Sequence, residues 1–338
     1  MSTSSSQSAA LTATGRPAPG GWVALAASQH IRLVAVWLAL IVLPFVLPNN
    51  YLLSLANLAF INLILIAGLN LLMGYGGQIS LSQAGFFGLG AYTSGVLNVE
   101  LDVTPWLGLP AAALVAGGAA ALVGIPALRL KGHYLAMATL GWNAILIVFF
   151  VQFIDLTGGP NGLLGVEPFS IFGYALDREP RVFPLVWATS FLVMLVILNF
   201  LRSRSGRALR AVATNELGAD AVGIDSFRIK LVAFSLSAAL AGIAGSLYVH
   251  VNMYASPETF SIATSILLIV MVAIGGAGTF WGPVLGTAIY VLLPQFLAGF
   301  EDAELLIFGA GMIVVLVAFP GGLASLPTAV ARWVGRRA

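Results

Sequence analysis

The sequence contains no cysteine and very few charged residues. Without cysteine, the chain can form neither a disulfide nor a thiolate metal site, and it has no thiol nucleophile. Only 8% of the residues are Asp, Glu, Lys or Arg, whereas a soluble domain carries about 25%. So few charges cannot cover a water-facing surface when 59% of the residues are hydrophobic. We therefore expect most of the exterior of the protein to face lipid.

Ionisable side chains are also missing from the middle of every long apolar run. A charge at the bilayer centre costs about 2.5–3.5 kcal/mol and usually marks a proton or ion relay. The sequence therefore argues against a pump or a symporter built on a carboxylate relay. If the protein moves a solute uphill, the energy must come from another component.

Signatures of catalysis are equally scarce. The sequence has no Walker A pattern for binding nucleotide phosphates. His30, His133 and His250 lack metal-ligand spacing and nearby carboxylates. His133 and His250 stand at the ends of apolar runs and are interpreted as interfacial side chains. We expect no metal, no other cofactor and no enzymatic activity.

The sequence does contain a series of apolar runs. A helix needs about 20 largely apolar residues to cross the hydrocarbon core, and the runs predict an all-α, polytopic bundle of about ten transmembrane helices. The predicted spans are 33–48, 51–73, 79–97, 106–128, 133–153, 183–201, 231–251, 260–275, 281–299 and 304–320. The predicted domains are a flexible cytoplasmic N-terminal tail at 1–32, a transmembrane domain at 33–322 and a cytoplasmic C-terminal tail at 323–338.

Charge placement gives the direction of the spans, because Lys and Arg accumulate in cytoplasmic loops. One side holds Arg16, Arg32, Arg129, Lys131, Arg202, Arg204, Arg207, Arg210, Arg228, Lys230, Arg332, Arg336 and Arg337. The opposite side holds only two basic residues, Arg178 and Arg181, together with most of the acidic ones. Both termini are therefore predicted to be cytoplasmic.

The 202–230 connection is the longest on the cytoplasmic side. Residues 207–214 suit a short helix, because they include Ala, Leu and Arg, and Ser205 is a candidate N-cap. A second helical turn opens at Asn215, and Gly223 suits a C-terminal stop. The connection is thus predicted to hold two short helices.

The second of these helices is amphipathic. Glu216 and Asp220 are four residues apart and share one helix face, whereas Leu217, Ala221 and Ile224 lie on the other. Such a helix pair either lies on anionic lipid headgroups or docks a soluble cytoplasmic partner. The mixed charge and the small residues favour docking, because a lipid anchor has bulkier apolar residues and few carboxylates.

A glycine-rich and polar stretch runs from Gly74 to Ala91. Glycine costs about 1 kcal/mol in a helix interior, so either neighbouring helices pack closely here or the backbone breaks to line a water-filled cavity. A second glycine-rich break follows the span at 260–275. The candidates for a solute pathway are Gly77, Gln78, Ser80, Ser82, Gln83, Gly275 and Gly276. If the spans divide into two inverted halves of five, 79–97 corresponds to 260–275, which is a hypothesis for the translocation site.

Four stretches together resemble the LivM/LivH family, the permeases of ABC importers for branched-chain amino acids. They are Gly206–Ile224, Met73–Tyr92 (MGYGGQISLSQAGFFGLGAY), Leu156–Gly162 (LTGGPNG) and Ser261–Leu285, which includes Gly275–Pro283 (GGAGTFWGP). The resemblance runs from about residue 35 to 320 and is closer to LivM than to LivH.

The resemblance implies a bacterial inner-membrane permease subunit that works with several partners. These are the lipid bilayer, a second, LivH-like permease, two cytoplasmic ABC ATPases that supply the hydrolysis, and a periplasmic solute-binding protein; no nucleic acid is expected. The 202–230 connection would be the ATPase-coupling loop, with Gly206, Arg207, Arg210, Glu216, Asp220 and Gly223 as its candidate residues. The candidate periplasmic loop residues are Thr157, Gly158, Gly159 and Asn161.

Branched-chain amino acids are the solutes that the resemblance favours, and urea, short amides and other small solutes stay open. The alternative function is an ion-coupled secondary transporter of a small polar solute. That alternative leaves the 202–230 connection unexplained, and the uncharged span centres argue against it.

Overall fold

The computed structural model describes residues 19–42, 44, 49–171, 173–297, 309, 313 and 321–325. The chain divides into two units, 1–48 and 49–338. In the first unit, helix α1 covers Pro19–Leu40. It begins well before the predicted span at 33–48, so part of the stretch assigned to the tail is helical. Three alanines and a leucine lie within Val23–Ala27 of this stretch, and both residue types are strong helix formers.

The second unit is a bundle of helices. They are α2 (Asn50–Asn70), α3 (Gln83–Leu101), α4 (Pro105–Ala127), α5 (His133–Gln152), α6 (Glu179–Arg202), α7 (Arg204–Thr214), α8 (Glu216–Ala221), α9 (Ser226–Asn252), α10 (Ile262–Gly275) and α11 (Gly282–Leu297). A helix therefore lies at every predicted span from 51–73 to 281–299. The predicted span at 304–320 falls almost entirely outside the described residues.

Several helices are long and apolar enough to cross a membrane. They are Asn50–Tyr75, Pro105–Ala127, His133–Gln152, Glu179–Arg202 and Ser226–Asn252. Gln29–Leu40, Ile262–Gly275 and Gly282–Leu293 are apolar but shorter. The all-α membrane architecture is thus confirmed.

Helix α9 packs along both α3 and α4. Small residues make this packing close: a Cβ on Gly90 would overlap the backbone of Gly242, and a Cβ on Gly242 would overlap the Ala112 carbonyl. Lipid supplies no hydrophobic force between transmembrane helices, so their packing depends on such close backbone approach. Helix α2 packs on α6 and also on α9.

The backbone breaks between α2 and α3. Leu71–Tyr75 is a π-helical turn, and a non-helical turn follows from Gly76 to Ser82. The predicted span at 79–97 therefore begins too early, because residues 79–82 belong to this turn and the helix begins at Gln83. The second break, Gly276–Trp281, contacts the first. Asn70 joins the two, since its Oδ1 accepts from Gly278 N at 2.9 Å and its Nδ2 donates to Thr279 O at 2.9 Å.

The connection between α5 and α6 is mostly irregular. It contains single turns at Ile154–Thr157 and Gly159–Asn161 and a short hairpin of β1 (Ser170–Ile171) and β2 (Tyr174–Ala175). An isolated bridge pairs Leu163 with Ala255, just beyond α9. Further single turns lie at Pro257–Phe260 and Leu323–Ser325.

Candidate functional site

The 202–230 connection folds as the predicted helix pair, α7 and α8. The N-cap of α7 is Ser203, whose Oγ accepts from Gly206 N at 3.2 Å, and not Ser205. Asn215 caps α8 by accepting from Gly218 N at 3.0 Å. Gly223 follows with φ of 83°, a left-handed conformation that favours glycine and ends the helix.

Two arginines of α7 bind the end of α6. Arg207 Nη1 donates to Arg202 O at 2.6 Å, and Arg210 Nη2 donates to Leu201 O. These carbonyls belong to the last turn of α6, where the helix dipole favours a positive charge. The Arg210 guanidinium also lies 5.7 Å from the ring centre of Tyr75, at the end of the π-helical turn. Helix α7 is therefore tied to α6 and lies against the break after α2.

The two carboxylates of α8 bind groups on neighbouring elements. Glu216 pairs with Lys230 at 2.7 Å and with Lys131 at 3.5 Å. The hydrogen bond from Lys230 is the first cause that lowers the Glu216 pKa below its ordinary value of 4.5, and both ammonium charges lower it further. The Asp220 pKa is also lowered, chiefly because Ser226 Oγ donates to its carboxylate at 2.6 Å. Both acids are ionised at neutral pH and join α8 to α9 and to the turn before α5.

The opposite side of α8 exposes apolar side chains. Leu217 is 77% exposed, and Val222, just after the helix, is 76% exposed. The sequence pattern placed Leu217 opposite the carboxylates but did not indicate which face points outward. It also missed Val222, which has no periodic signal of its own. Helix α8 and the turn that follows it thus present two exposed aliphatic side chains.

The turn from Gly76 to Ser82 borders a cavity of about 270 Å³ beside this helix pair. We call it the Gln78 cavity; its lining residues include Gly77, Gln78, Lys131, Val212, Glu216 and Lys230. Gln78 is only 4% exposed, and among the described residues neither its Nε2 nor its Oε1 has a hydrogen-bond partner. A buried amide that lacks a partner is costly and rare.

The other polar candidates in this stretch are bonded within the protein. Ser80 Oγ and Ser82 Oγ lie 2.9 Å apart. Gln83 accepts from Ser237 Oγ at 3.2 Å and donates to Leu65 O at 3.2 Å. These bonds hold the start of α3 against α2 and α9. They are what the first alternative for this stretch, close packing of neighbouring helices, requires.

The two glycines of the second break occupy crowded positions. A Cβ on Gly275 would overlap the Gly282 carbonyl, and Gly276 has φ of 112° with the Gly321 carbonyl nearby. They allow α10 and α11 to approach each other closely. Among the described residues, neither glycine lines the Gln78 cavity.

A second cavity, of about 400 Å³, lies among α2, α3, α9, α10 and α11. Its wall combines aliphatic side chains with hydroxyl groups and one amide. The lining residues are Leu55, Leu58, Ile61, Asn62, Phe87, Tyr248, Thr259, Thr264, Tyr290 and Val291. Apolar walls with a few polar groups are typical of sites for small organic solutes.

The connection at 153–178 contains the loop candidates. Thr157 Oγ1 donates to Phe150 O at 2.6 Å and accepts from Gly159 N at 3.2 Å. Gly158 has φ of 74° and ends the preceding turn. Asn161 O accepts from Tyr254 Oη at 3.0 Å. All four candidates therefore lie in one compact turn joined to α5 and to the end of α9.

The interpretation of His250 as an interfacial side chain is wrong, because the side chain is fully buried. Its Nδ1 lies 2.6 Å from Glu167 O and its Nε2 lies 2.8 Å from Ser94 Oγ. Ser94 Oγ in turn lies 2.8 Å from Ser246 Oγ. The spacing of Ser246 and His250, four residues apart on one face of α9, is the signal that could have indicated this network.

We expect replacement of His250 by leucine to loosen the 153–178 connection. The change leaves the Glu167 carbonyl without the His250 ring, and an unsatisfied buried group costs about 1–3 kcal/mol. The Ser94 hydroxyl keeps its contact with Ser246. Protease cleavage within this connection should therefore rise about tenfold. The control is His133→Leu, because His133 is exposed. Equal cleavage of both variants would contradict a pinning role for His250.

Comparison with known proteins gives a consistent result. A family model described as "Branched-chain amino acid transport system / permease component" matches residues 51–316. The chain is 34% identical over 318 residues to the high-affinity branched-chain amino acid transport system permease protein LivM of Escherichia coli K12, covering 87% of this chain and 75% of that protein. No solved structure shows significant similarity to the chain.

Two further relatives are more distant. The high-affinity branched-chain amino acid transport system permease protein LivH of Escherichia coli K12 is 26% identical over 197 residues, which are 53% of this chain and 61% of LivH. The ribose import permease protein RbsC, also from Escherichia coli K12, is 27% identical over 279 residues, which are 80% of this chain and 84% of RbsC.

Proposed function

Because this chain belongs to the family of branched-chain amino acid transport system permease components, we propose that it carries small aliphatic amino acids inward as one of two unlike permease subunits. The second subunit would be LivH-like, two cytoplasmic ATPases would supply the energy, and a periplasmic protein would deliver the solute. The chain itself is a multi-pass membrane permease. ATP hydrolysis is assigned to the partners.

The observation that carries this proposal is the construction of the 202–230 connection. Helices α7 and α8 are joined to the bundle by Arg207, Arg210 and Glu216, so a push on them reaches α6, α9 and the turn before α5. Leu217 and Val222 meanwhile face outward with nothing of the described chain covering them. A rigid element with a small, exposed apolar tip suits a docking contact that transmits force. It does not suit a lipid anchor, because the apolar face of such an anchor is larger.

The Lys- and Arg-rich end of the bundle, which carries this connection, would face the cytoplasm, with both termini on that side. The 153–178 connection would then face the periplasm of the inner membrane. There, Thr157, Gly158, Gly159 and Asn161 would hold a compact turn toward the solute-binding protein. Its rigidity, from the bonds of Thr157 and His250, supports a contact surface of fixed shape.

The solute route that we propose uses the 400 Å³ cavity and ends near Gly77 and Gln78. Leu58, Ile61 and Val291 offer apolar surface to an aliphatic side chain, and the hydroxyl groups offer hydrogen bonds without fixed charge. Ser80, Ser82 and Gln83 are assigned to holding the turn, and Gly275 and Gly276 to close helix packing. With these assignments, only Gly77 and Gln78 remain as candidate pathway residues, because they line the Gln78 cavity.

Paired contacts support the hypothesis of inverted halves. If α2, α3 and α4 correspond to α9, α10 and α11, then the contacts of α9 with α3 and α4 should have counterparts. They do, because α2 contacts α10 and α11, and the pairs α3–α4 and α10–α11 also contact each other. Inverted repeats are common in transporters and place the solute site between the halves, where the 400 Å³ cavity lies.

The proposal is tested by uptake of labelled leucine into proteoliposomes that contain the chain with its partner subunits. Uptake should require ATP on the Lys- and Arg-rich side and should be reduced by isoleucine and valine. It should not respond to a proton or sodium gradient. Concentrative uptake on a gradient without nucleotide would contradict the proposed class. Competition by urea or ribose, without competition by isoleucine, would contradict only the proposed identity of the solute.

A further inference from the structure

The two backbone breaks meet where α2 ends, and the side chain of Asn70 joins them. Its Oδ1 accepts from Gly278 N and its Nδ2 donates to Thr279 O, each at 2.9 Å. Asn70 is 3% exposed, so water competes little for these bonds. No other side chain among the described residues of α2 or of the first break, Leu71–Ser82, hydrogen-bonds to the second break. The polar link between the two breaks therefore consists of this one amide.

Glycine allows the two breaks to touch without side chains between them. A Cβ on Gly74 would overlap Gly278 N, and a Cβ on Gly278 would lie 2.8 Å from Gly74 O. Gly74 belongs to the π-helical turn Leu71–Tyr75, and such turns are frequent at functional sites. Backbone packed this closely leaves no room for a solute. The contact between the breaks is therefore closed in this structure.

The contact lies between the 400 Å³ cavity and the end of the proposed route. Asn62 lines that cavity from α2, and Asn70 is eight residues further along the same helix, about 12 Å along its axis. On α10, the cavity residue Thr264 is near the start of the helix, whereas the second break follows its last residue, Gly275. A solute that moves from the cavity toward Gly77 therefore passes the place where the breaks meet.

Helix α7 packs directly on the first break. The Arg210 guanidinium lies 5.7 Å from the ring centre of Tyr75. A Cβ on Gly76 would lie 3.3 Å from Leu209 Cδ1, so α7 contacts the backbone of the turn itself. The second break connects α10 to α11 instead. A displacement of α7 therefore moves the first break relative to the second.

We infer that Asn70 holds the two breaks together as a gate, which closes the cytoplasmic end of the solute route and opens when the ATPases displace α7. The inference deepens the proposed function and rests on it for the route, the cytoplasmic side and the ATPases. It adds the position of the gate and the residue that keeps it closed. Asn70 is a positioning residue, because it holds backbone and does not touch the solute.

The test measures access to the 400 Å³ cavity from each side of the membrane. The chain has no cysteine, so Asn62→Cys places a single thiol in the cavity wall. The bond that this change removes, to Leu58 O, lies within α2. The complete transporter is reconstituted into vesicles, and a charged, membrane-impermeant methanethiosulfonate reagent is added to the Lys- and Arg-rich side or to the opposite side. Mass spectrometry of the peptide that contains position 62 gives the rate of reaction.

The informative variant is Asn70→Ala in the Asn62→Cys permease, without ATP. The rate from the Lys- and Arg-rich side should rise at least about tenfold, because the two lost hydrogen bonds are together worth about that factor. The rate from the opposite side should not change. Asn57→Ala is the matched control, since Asn57 is also buried in α2 and donates to Glu179 Oε2 at 2.6 Å, nearer the other end of the helix. It should not raise the rate from the Lys- and Arg-rich side.

Gly278→Ala tests the same contact from the second break, in case Asn70→Ala fails to insert. Its Cβ would lie 2.8 Å from Gly74 O, so it pushes the breaks apart while the Asn70 amide remains. Gly173→Ala is its control. Both glycines have a left-handed φ, 74° and 84°, but a Cβ on Gly173 meets nothing within 4 Å. Only Gly278→Ala should raise the rate from the Lys- and Arg-rich side.

The outcomes separate the gate from the proposed function. A rise from the Lys- and Arg-rich side alone, in Asn70→Ala or Gly278→Ala and in neither control, supports the gate. Unchanged rates in both variants overturn it. An equal rise from both sides, or an equal rise in Asn57→Ala, also overturns it, because a loosened bundle would then be the cause. These rates require neither ATP nor leucine, so they test the gate even if ATP-driven uptake fails and the proposed function is wrong.

Opening during transport is tested with the Asn62→Cys permease alone. Addition of ATP, the solute-binding protein and leucine should raise the rate of reaction from the Lys- and Arg-rich side, because each cycle separates the breaks. A rate that stays constant while ATP-driven uptake proceeds would overturn the gate and leave the proposed function intact.

Discussion

Replacement of Leu217 by aspartate should abolish ATP-driven uptake while the permease still inserts into the membrane. Leu217 is 77% exposed in the chain alone, so a carboxylate there meets water and costs the isolated permease little. In the proposed transporter the same position is covered by an ATPase. The variant then loses about 1.5–3 kcal/mol of apolar burial, and an unpaired charge in that contact adds a further penalty.

A combined penalty of about 3 kcal/mol weakens docking more than one hundredfold. The measurements are uptake in proteoliposomes and co-purification of the ATPases with the permease. Leu217→Met is the matched control, because it keeps an apolar side chain of similar volume and should retain most of the activity. Val222→Asp should resemble Leu217→Asp. Full uptake by both aspartate variants would show that the ATPases do not dock on this face.

The ends of the helices in the 202–230 connection depend on local chemistry, which explains why the sequence predicts them well. Asn215 caps α8 and Gly223 ends it because each acts on residues within one turn. For α7 the sequence predicts Ser205 as the cap, whereas the structure has Ser203, since two serines in one turn satisfy the same local rule equally well. Such errors shift a boundary and leave the element unchanged.

Which face of α8 points inward could not be predicted, because the answer lies far away in the sequence. Glu216 faces the protein because Lys131, in the turn before α5, and Lys230, in α9, both reach it. Helical periodicity gives two faces but no partner for either. The same limit applies to Gln83, because its bonds to Leu65 and Ser237 join it to two other helices that the local sequence does not indicate.

His250 illustrates the limit for membrane chains in particular. A histidine at the end of an apolar helix is usually interfacial, since its ring has an apolar body and a polar tip. Here the 153–178 connection folds back and brings the Glu167 carbonyl to the ring. Nothing in the local sequence around His250 indicates that the connection folds back, because the path of a loop depends on contacts that helical periodicity does not predict.

Replacement of Gly206 by alanine should uncouple ATP hydrolysis from uptake, and it is the smallest change that can do so. Gly206 is buried where α7 leaves α6, and an added Cβ would overlap the Phe200 carbonyl and approach Leu201 Cα to 2.6 Å. Neither neighbour is a flexible side chain, so α7 must move as a whole. Overpacking of this kind costs about 1–3 kcal/mol, and the bonds of Arg207 and Arg210 to the end of α6 would be strained or lost.

The expected result is at least a tenfold fall in leucine transported per ATP hydrolysed. A free-energy cost of about 1.4 kcal/mol at the misaligned junction already changes an equilibrium constant by that factor. Gly218→Ala is the matched control. Its Cβ would meet only the side chain of Asn215, at 3.3 Å, and alanine stabilises a helix by about 1 kcal/mol relative to glycine. Its transport ratio should therefore equal that of the wild type. Equal ratios in the two variants would mean that the junction of α6 and α7 does not carry the force from the ATPases, because only Gly206→Ala displaces that junction.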